Sequence, residues 1–282
     1  MDSMISKLAF KNRVVVLLAT YNGAKHISEL LDSLLEQTYK DFIIVAHDDG
    51  SQDRTVEILK DYETQYPNFL YILDDGICCG GAKNNFSHLL NNVNFDYGFF
   101  CDQDDVWKEE KISKFIEILD VHDKSIPCVV YSDLVVVDER LNIISPSMWN
   151  YQNTGPYVTS NIKFLGCRNS VTGCAMAFNR TAAEIFIRSD SSNVVMHDWW
   201  MALLVLANNG ILLPIETALT LYRQHDSNEV GAENFSLYVV FRKILSIRKF
   251  IRTQITVYAM AKKLSVYAGP FDFLYWKCKS LL

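Results

Sequence analysis

An acidic cluster that follows an apolar run is the feature of this sequence best suited to chemistry. Asp102, Asp104 and Asp105 occupy three of four consecutive positions, directly after the apolar stretch Tyr97 to Cys101. Crowding of like charges is costly unless a cation or hydrogen-bond donors stabilise it. Mg²⁺ and Mn²⁺ prefer carboxylate oxygens, and they usually take one or two protein carboxylates together with substrate phosphate oxygens. The cluster therefore predicts a metal site for a phosphate-bearing ligand; the alternative is an acidic turn or N-cap before a helix over Lys108 to Val121.

The elements before this cluster alternate between strands and helices. Apolar runs of strand length lie over Arg13 to Ala19, Phe42 to Ala46, Leu70 to Leu73 and Tyr97 to Cys101. Segments with helical spacing lie between them, over Ile27 to Leu35, about Arg54 to Tyr66, and Lys83 to Asn92. This alternation predicts a mostly parallel sheet with helices on both faces, which binds ligands at the carboxyl ends of its strands. The polar loops after Ala19, Ala46 and Cys101 would then line one edge.

The second half of the chain does not continue this alternation. We expect a strand-like run over Cys128 to Val137 with a hairpin into Leu141 to Ile144, then an irregular segment to Gly166 and a strand over Thr172 to Phe178. Helices are expected over Thr181 to Ile187 and His197 to Asn208, and short strands over Ile211 to Leu213 and Leu219 to Arg223. This mixture predicts an α+β half fused to the first.

The composition is that of a globular chain. Its 282 residues, 49% hydrophobic and 21% charged, suffice for one large α/β domain, or for one domain with an appendage. The seven cysteines lack paired Cys-x-x-Cys spacing, so they indicate neither a zinc site nor a disulfide framework. No signal peptide is recognisable, and no run approaches the ~18 apolar residues of a membrane span. We expect a cytoplasmic protein without a nucleic-acid partner.

The charge is distributed unevenly along the chain. From Phe235 onward there are nine Lys and Arg against one acid, so the tail carries +8 and leaves −14 for the rest of the net charge of −6. Apolar residues recur there at roughly helical spacing, at Leu237, Val240, Phe241, Ile244, Leu245, Ile251, Ile255 and Tyr258. This pattern predicts a basic amphipathic helical tail over 231–282 that lies through 235–282 on an anionic membrane surface, where each basic residue adds about 1 kcal/mol. The alternative is a helix pair packed on the rest of the chain, or a dimer contact.

Six motifs together resemble the family-2 glycosyltransferases of the GT-A fold, in order and approximate spacing. They are Ala19-Thr20-Tyr21-Asn22-Gly23, Asp48-Asp49-Gly50-Ser51-x-Asp53, Asp102-x-Asp104-Asp105-x-Trp107, Thr172-Gly173-Cys174, His197-Asp198-Trp199-Trp200 and Tyr222-Arg223-Gln224-His225. The likeness covers about residues 13–230, and its last two motifs are most similar to bacterial rhamnosyltransferases of surface polysaccharide synthesis. It implies a GT-A catalytic domain over 1–230, with a nucleotide-binding half over about 13–107 and an acceptor half over about 108–230.

The resemblance implies a donor site for a nucleotide-diphosphate sugar, either dTDP-rhamnose or a UDP-sugar. Thr20, Tyr21 and Asn22 would wall the base, Asp48 or Asp49 would hydrogen-bond the base or ribose, and Asp102 would bind the ribose. Asp104 would hold the Mn²⁺ or Mg²⁺ that bridges the diphosphate, with His225 as a second ligand. Lys83 and Arg223 are candidates to meet phosphate charge. Asn85 is a further candidate, although an Asn early in a helix also serves local hydrogen bonding.

On the acceptor side, the resemblance points to Asp198 as the general base of an inverting transfer to a glycan or a lipid-linked acceptor. Such a transfer needs one carboxylate that takes the proton of the attacking hydroxyl. Trp199 and Trp200 would supply an apolar wall or a sugar-stacking face; alternatively, Asp198 caps its helix and both tryptophans belong to the core. Thr172 and Gly173 would belong to an acceptor-binding loop.

Other classes of protein fit the motifs less well. A phosphatase of the haloacid-dehalogenase type also places Asp-x-Asp after a strand, but usually after the first strand rather than about the fourth. A sugar nucleotidyltransferase would need a Gly-rich, basic loop after the first strand, which Thr20 to Ala24 does not supply. A non-catalytic, membrane-associated scaffold is the remaining alternative, and the presence of every expected carboxylate argues against it.

Overall fold

The computed structural model describes residues 8–9, 14–225 and 247–280. Its strands are β1 (Leu8–Ala9), β2 (Val14–Thr20), β3 (Phe42–Asp48), β4 (Leu70–Ile72), β5 (Val93–Asn94), β6 (Tyr97–Asp102), β7 (Val106–Trp107), β8 (Cys128–Ser132), β9 (Val135–Val137), β10 (Ile143–Ser145), β11 (Met176–Asn179), β12 (Ile211–Ile215) and β13 (Thr220–Arg223). Its helices are α1 (Ile27–Leu35), α2 (Thr55–Gln65), α3 (Ala82–Asn92), α4 (Lys111–Asp120), α5 (Met148–Tyr151), α6 (Ile162–Leu165), α7 (Arg180–Arg188), α8 (His197–Ala207), α9 (Ile247–Lys262) and α10 (Pro270–Lys279). In these ranges every helix is too short or too polar to cross a bilayer.

A seven-stranded central sheet has the order β12-β8-β11-β6-β2-β3-β4. Neighbouring strands are parallel except at β11, which runs antiparallel to both β6 and β8. In the register of β2, Thr20 lies beside Asp48 of β3, and Ala19 lies beside Asp102 of β6. The predicted α/β fold with a mostly parallel sheet is confirmed, and three of the polar loops emerge side by side from one edge.

The continuous apolar character of β2 follows from burial on both faces of the sheet. All seven of its residues are buried. Val14, Val16 and Leu18 pack into a core with α1 and α4, whereas the alternate residues Val15 and Leu17 pack into a second core with α3 and α8. A central parallel strand covered by helices on both sides has no polar face, which is why its sequence does not alternate.

The predicted strand over Cys128 to Val137 is in fact two strands in different sheets. β8 ends in the central sheet, whereas β9 belongs to a four-stranded sheet of order β10-β9-β13-β7. The buried Asp133 at the break accepts hydrogen bonds from the backbone N–H groups of Leu134 and Trp149 and from the Ser147 hydroxyl. These bonds stabilise a change of direction that the apolar run conceals. The predicted strand over Thr172 to Phe178 likewise begins with a 3₁₀ turn, Gly173–Ala175, before β11.

The acidic cluster is not a helix N-cap, so that part of the alternative is wrong, whereas Gln103 and Asp104 do form a turn between β6 and β7. β7 separates the cluster from α4, which begins only at Lys111. β7 pairs antiparallel with β13, through Trp107 with Thr220 and Val106 with Leu221. This pairing brings the chain around Arg223 next to the cluster, although the two segments are more than a hundred residues apart in sequence.

The two C-terminal helices pack on the rest of the chain through one face. Val257 of α9 and Phe273 of α10 are buried in a cluster with Cys167. The Lys163 ammonium lies 2.7 Å from a carboxylate oxygen of Asp272. These contacts agree with the alternative prediction for the tail, a helix pair packed on the rest of the chain. The tail residues Leu237, Val240, Phe241, Ile244 and Leu245 lie outside the described residues.

Candidate active site

A cavity of about 1110 Å³ lies at the carboxyl ends of β6, β2 and β3. Its opposite wall comes from the irregular segment around Met148 to Gly173 and from the start of α8. Most of the predicted site residues line it, namely Thr20, Tyr21, Asn22, Asp49, Asn85, Asp102, Asp104, Thr172, Gly173, Asp198, Trp199 and His225. Four predicted residues, Asp48, Lys83, Trp200 and Arg223, are not part of this lining.

Asp104 and His225 meet on the cavity wall. Oδ2 of Asp104 lies 2.7 Å from Nε2 of His225, and the side chains are 16% and 13% exposed. The His26 ring stacks on His225, with 5.5 Å between the ring centroids. The backbone N–H of Arg223 donates to Asp105 at 3.2 Å, and its Nε donates to the Asp104 carbonyl at 2.8 Å. The β7–β13 pairing thus holds a carboxylate and an imidazole at one point of the cavity.

This pair suits a hard divalent cation better than the other acidic grouping nearby. A carboxylate oxygen and an imidazole nitrogen are two ligands, and Mg²⁺ or Mn²⁺ commonly keeps its remaining positions for water and phosphate oxygens. Donor atoms of Asp102, Asp105 and Cys174 also lie within 4.8 Å of one another. However, burial raises the pKa values of the Cys174 thiol and the Asp105 carboxyl, which disfavours their anionic, metal-binding forms. Asp104 and His225 are therefore the residues that would hold the cation.

A buried lysine lies behind the acidic cluster. Lys111 is fully buried, its Nζ lies 3.3 Å from the centroid of the Trp107 ring, and it donates to the Cys174 carbonyl. Burial lowers the pKa of Lys111 to about 8, and the nearby Asp105 opposes this shift. The carboxylates of Asp105 and Asp102 favour the charged form of Lys111, which lies on the interior side of the acidic cluster.

The loop after β2 is fastened to the acidic cluster. The side chain of Gln103 accepts a hydrogen bond from the Tyr21 backbone N–H and donates one to the Tyr21 carbonyl, each at 2.8 Å. A Cβ at Gly23 would lie 2.1 Å from Oε1 of Gln103, so a larger residue there would displace this side chain. The Tyr21 ring itself is 55% exposed and belongs to the cavity lining.

The two adjacent aspartates after β3 have different positions. Asp48 accepts hydrogen bonds from the Thr20 hydroxyl at 2.8 Å and from the Ser51 N–H at 2.7 Å, and it does not line the cavity. These bonds stabilise the turn after β3, and the contact of Asp48 or Asp49 with the base or ribose stays a prediction. Asp49 lines the cavity and accepts hydrogen bonds from the backbone N–H groups of residues 79–81. Asp49 thereby fixes the glycine loop before α3.

Two candidates on α3 are engaged by the protein itself. Asn85 lines the cavity, but its amide donates to the His47 carbonyl at 3.0 Å and its Oδ1 lies 2.7 Å from Nδ1 of His47. Its placement matches the local hydrogen-bonding alternative. Nζ of Lys83 lies 3.4 Å from the Val194 carbonyl, outside the cavity lining. The role of Lys83 in meeting phosphate charge stays a prediction.

Arg223 is a buried structural cation rather than a residue of the cavity wall. It is 1% exposed. Its guanidinium forms an ion pair with Glu29 and donates to the Glu139 carbonyl at 2.6 Å, besides its bond to the Asp104 carbonyl. The predicted phosphate contact is therefore corrected: Arg223 anchors β13 to α1 and to the acidic cluster.

Asp198 lies in the first turn of α8 and faces the cavity. Its Oδ2 accepts a hydrogen bond from the Gly173 N–H at 2.9 Å, and its Oδ1 accepts one from the Trp199 N–H at 2.5 Å. Thr172, Gly173 and Trp199 line the cavity beside it. Trp200 instead belongs to the core, at 2% exposure, because consecutive helical residues point about 100° apart. The prediction of a sugar-stacking face is therefore corrected for Trp200.

Four residues of this region were not among the predicted site residues. Gln103, His26 and His197 line the cavity, and the buried Lys111 lies behind the acidic cluster. Gln103 and His197 lie inside two of the six motifs, so their position there could have marked them as site residues. His26 and Lys111 stand alone in the sequence, and only the packing of α1 and α4 shows where they point.

His197 is expected to make the stability of the fold depend on pH. Its ring packs against Phe86 and Phe100, with centroids 4.3 and 4.8 Å away. Neither ring nitrogen has a hydrogen-bond partner among the described residues. Burial lowers the pKa of His197 to about 3. Below pH ~6.5 the unfolded chain therefore binds a proton that the folded chain does not. The free energy of unfolding then decreases by about 1.4 kcal/mol for each unit by which the pH is lowered.

The measurement is urea unfolding of the wild type and His197→Gln at several pH values between about 7.5 and about 5. The variant should show a pH slope that is shallower by about 1.4 kcal/mol per unit between pH ~6.5 and ~5. His122→Gln is the matched control, because His122 lies just after α4 and outside the cavity lining. Equal slopes in the wild type and in His197→Gln would refute the expectation.

The sheet, the cavity at its carboxyl edge and the acid–imidazole pair define a transferase of the GT-A class. A family model for glycosyl transferase family 2 matches residues 15–193. A dTDP-rhamnosyl transferase of Shigella flexneri, RfbG, is 30% identical over 260 residues, which cover 86% of this chain and 84% of the relative. The chain belongs to glycosyl transferase family 2. A glycosyltransferase of Nostoc is 27% identical over 229 residues, covering 77% of this chain and 66% of the relative.

Solved structures share the fold. The S. aureus TarS 1–349 structure in complex with UDP-GlcNAc superposes with a TM-score of 0.57 at 19% identity, covering 77% of this chain and 60% of that chain. The Pyrobaculum calidifontis mannosyltransferase PcManGT, in complex with GDP-Man and Mn²⁺, superposes with a TM-score of 0.59 at 17% identity, covering 97% of this chain and 75% of that chain. At such identities the likeness concerns the fold, and it confirms the predicted GT-A architecture.

Proposed function

We propose that this glycosyltransferase transfers rhamnose from dTDP-rhamnose to a glycan or lipid-linked acceptor, with inversion and with the help of Mn²⁺ or Mg²⁺. One observation carries the proposal: a single cavity is lined by the loop after β2, by the Asp104–His225 pair and by Asp198. The name of the Shigella relative supports dTDP-rhamnose as donor. A UDP-linked hexose is the alternative donor. The comparisons favour neither a phosphatase nor a non-catalytic scaffold.

In this proposal the nucleotide lies at the edge formed by β3, β2 and β6. Thr20, Tyr21 and Asn22 wall the base, and Asp102 binds the ribose. The glycine loop held by Asp49 lies close enough to the cavity for its backbone to approach the nucleotide. Asp104 and His225 hold the cation, which when bound acts as a Lewis acid on the leaving diphosphate.

Asp198 takes the proton of the acceptor hydroxyl in this proposal. The N–H groups of Gly173 and Trp199 hydrogen-bond one to each carboxylate oxygen. Such bonds favour the ionised form of a carboxylate and fix its orientation. A carboxylate oxygen can accept a second hydrogen bond, so Asp198 can serve as base while it remains held. Thr172, Gly173 and Trp199 form the acceptor side of the cavity.

The test is product analysis of the purified full chain with dTDP-rhamnose, Mn²⁺ and a lipid-linked glycan acceptor. The proposal expects dTDP and a rhamnosylated acceptor with inverted anomeric configuration, as read by NMR. Calorimetry with dTDP and UDP, each with and without Mn²⁺, reports donor preference independently of the acceptor. Release of inorganic phosphate, or binding of neither nucleotide under any condition, would refute the proposal.

We also propose that the C-terminal helices hold the enzyme at an anionic membrane surface. Phe271, Leu274 and Tyr275 follow the i, i+3, i+4 spacing of one helical face and are 86%, 52% and 61% exposed. Lys279 ends the same helix. Exposed apolar residues with flanking cations suit the boundary between headgroups and acyl chains, and this location would bring the enzyme to a lipid-linked acceptor.

Replacing Phe271, Leu274 and Tyr275 together by Ser should abolish cosedimentation with vesicles of anionic phospholipid, because the apolar contact is lost. Affinity for dTDP should not change. The matched control replaces Val121, Ile143 and Ile144 by Ser, which are comparably exposed but lie outside the C-terminal helices. Equal vesicle binding by both triple variants, or no binding by the wild type, would argue against a membrane role for this face.

A further inference from the structure

Two histidines and an aspartate meet beside the glycine loop. His47 is on β3, Asp75 is in the loop after β4, and His88 is on α3. Nε2 of His47 lies 3.5 Å from Oδ1 of Asp75, and Nε2 of His88 lies 2.6 Å from Oδ2 of the same carboxylate. One donor atom from each of the three residues lies within 4.8 Å of the others. This cluster shares no residue with the Asp104–His225 pair.

The hydrogen bonds of Asn85 determine which nitrogen of His47 carries a proton. The Asn85 amide nitrogen donates to the His47 carbonyl at 3.0 Å, which turns its Oδ1 toward Nδ1 of His47 at 2.7 Å. Oδ1 can only accept, so Nδ1 is the protonated nitrogen. In the neutral ring, Nε2 then presents its lone pair to the Asp75 carboxylate.

A cation between these residues would relieve this arrangement. His47 is 1% exposed, so water has little access to its lone pair. Even a protonated Nε2 would lie too far from Oδ1 of Asp75, at 3.5 Å, for a good hydrogen bond. In a tetrahedral site with ligand distances of about 2.0–2.1 Å, the ligand atoms are roughly 3.3 Å apart, which is close to the separation between His47 and Asp75. Nε2 of His88 donates a hydrogen bond to Asp75 at 2.6 Å, and a bound cation would take the place of that proton.

We propose that His47, Asp75 and His88 form a second, structural cation site for Zn²⁺ or a similar transition metal ion. Two imidazoles and one carboxylate are a typical Zn²⁺ ligand set, with the fourth position left to water. Metal-bound histidines usually donate their other N–H to a fixed acceptor, as His47 does to Asn85. The backbone N–H of Ile77 donates to Asp75 at 3.0 Å and orients that carboxylate.

The site would connect three elements around the donor cavity. His47 directly precedes Asp48 and Asp49, and Asp75 lies in the loop that leads from β4 to Gly80 and Gly81. Gly80 and Gly81 line the cavity and donate to Asp49. A cation bound by all three ligands would therefore fix the loop at both ends, through Asp75 at one end and through Asp49 at the other.

The test measures binding of Zn²⁺ alone to the full chain after treatment with a chelator. Calorimetry and elemental analysis should find one tightly bound equivalent in the wild type and at least about 100-fold weaker binding in His88→Gln, because even residues that only orient ligands contribute 10–100-fold. His122→Gln, the matched histidine control, should bind like the wild type. The double variant Asp104→Asn with His225→Gln should also keep the equivalent, which separates this site from the donor site.

Co²⁺ identifies the ligands directly. Visible bands typical of four-coordinate Co²⁺ should appear in the wild type and disappear in His88→Gln and in Asp75→Asn. Because Asp75 lies in a loop, Asp75→Asn still tests the proposed ligands if His88→Gln does not fold. The proposal is overturned if the wild type binds no Zn²⁺ or if Zn²⁺ binding survives both substitutions. A thiolate charge-transfer band that is lost in Cys79→Ser would overturn it as well, since the ligands would then include a cysteine.

Discussion

Asp198→Asn should lower kcat by a factor of about 10²–10⁴, the usual contribution of a positioned general base. Asparagine keeps the shape of the side chain, and its amide oxygen can still accept the hydrogen bond from the Gly173 N–H, which lies 2.9 Å from Asp198 in the wild type. What is lost is the group that can take the acceptor proton, together with the oxygen that accepts the Trp199 N–H. Affinity for dTDP in the presence of Mn²⁺ should stay unchanged, because the proposed role of Asp198 is on the acceptor side of the cavity.

The measurement is kcat from initial rates of dTDP release at saturating acceptor, together with calorimetry of dTDP binding. Asp61→Asn is the matched control, since Asp61 is exposed on α2 and outside the cavity lining. A decrease in kcat of less than about fivefold would be too small for a general base. An equal loss of dTDP affinity would indicate instead that Asp198 supports the donor site.

The part of the cavity at the edge of the sheet could be predicted because its residues follow long apolar strands. The run from Arg13 to Ala19 is unmistakable since β2 is buried on both faces, and parallel strands bring the loops after β2, β3 and β6 to one edge. Once that edge was predicted, the positions of Thr20 to Asn22 and Asp102 followed from counting residues past each strand. Their chemistry then depended on the resemblance, not on the strands.

The roles of single charged residues were harder to predict, because they depend on packing between distant segments. Arg223 reads as a phosphate ligand in the sequence, yet the pairing of β13 with β7 buries it beside Glu29. Lys111 was not a candidate in the sequence, and lysine is almost never fully buried, yet it is buried against the Trp107 ring. Sequence spacing reveals which element carries a charge, but not which neighbour that element will meet.

Helix phase was a second limit. Trp199 and Trp200 are equivalent in the sequence, but one lines the cavity and the other fills the core. A helix starting one residue earlier or later would exchange their positions, and helix boundaries are known from sequence only to within a few residues. The His47–Asp75–His88 cluster escaped prediction for a related reason: its members come from a strand, a loop and a helix, with no recognisable spacing.

Asp104→Asn should weaken the Mn²⁺-dependent binding of dTDP by at least about 100-fold, because even residues that only orient metal ligands contribute 10–100-fold. Binding of dTDP without metal should change little, since the loop after β2 and Asp102 remain intact. His225→Ala should weaken the metal-dependent binding as well. Since Oδ2 of Asp104 and Nε2 of His225 lie 2.7 Å apart, the two substitutions act at one point and their free-energy effects should not add.

The measurement is a double-mutant cycle by calorimetry, with dTDP titrated into the wild type, both single variants and the double variant, each with and without Mn²⁺. His26→Ala serves as a comparison, because the His26 ring stacks on His225 but the described part of the structure shows no hydrogen bond between His26 and Asp104. A smaller loss of Mn²⁺-dependent dTDP affinity is therefore expected. Strictly additive effects of Asp104→Asn and His225→Ala would mean that the two residues do not share one ion. Metal dependence that survived in both single variants would move the cation to another set of ligands, and Asp102 would then be the next residue to replace, because it lies on the same wall of the cavity.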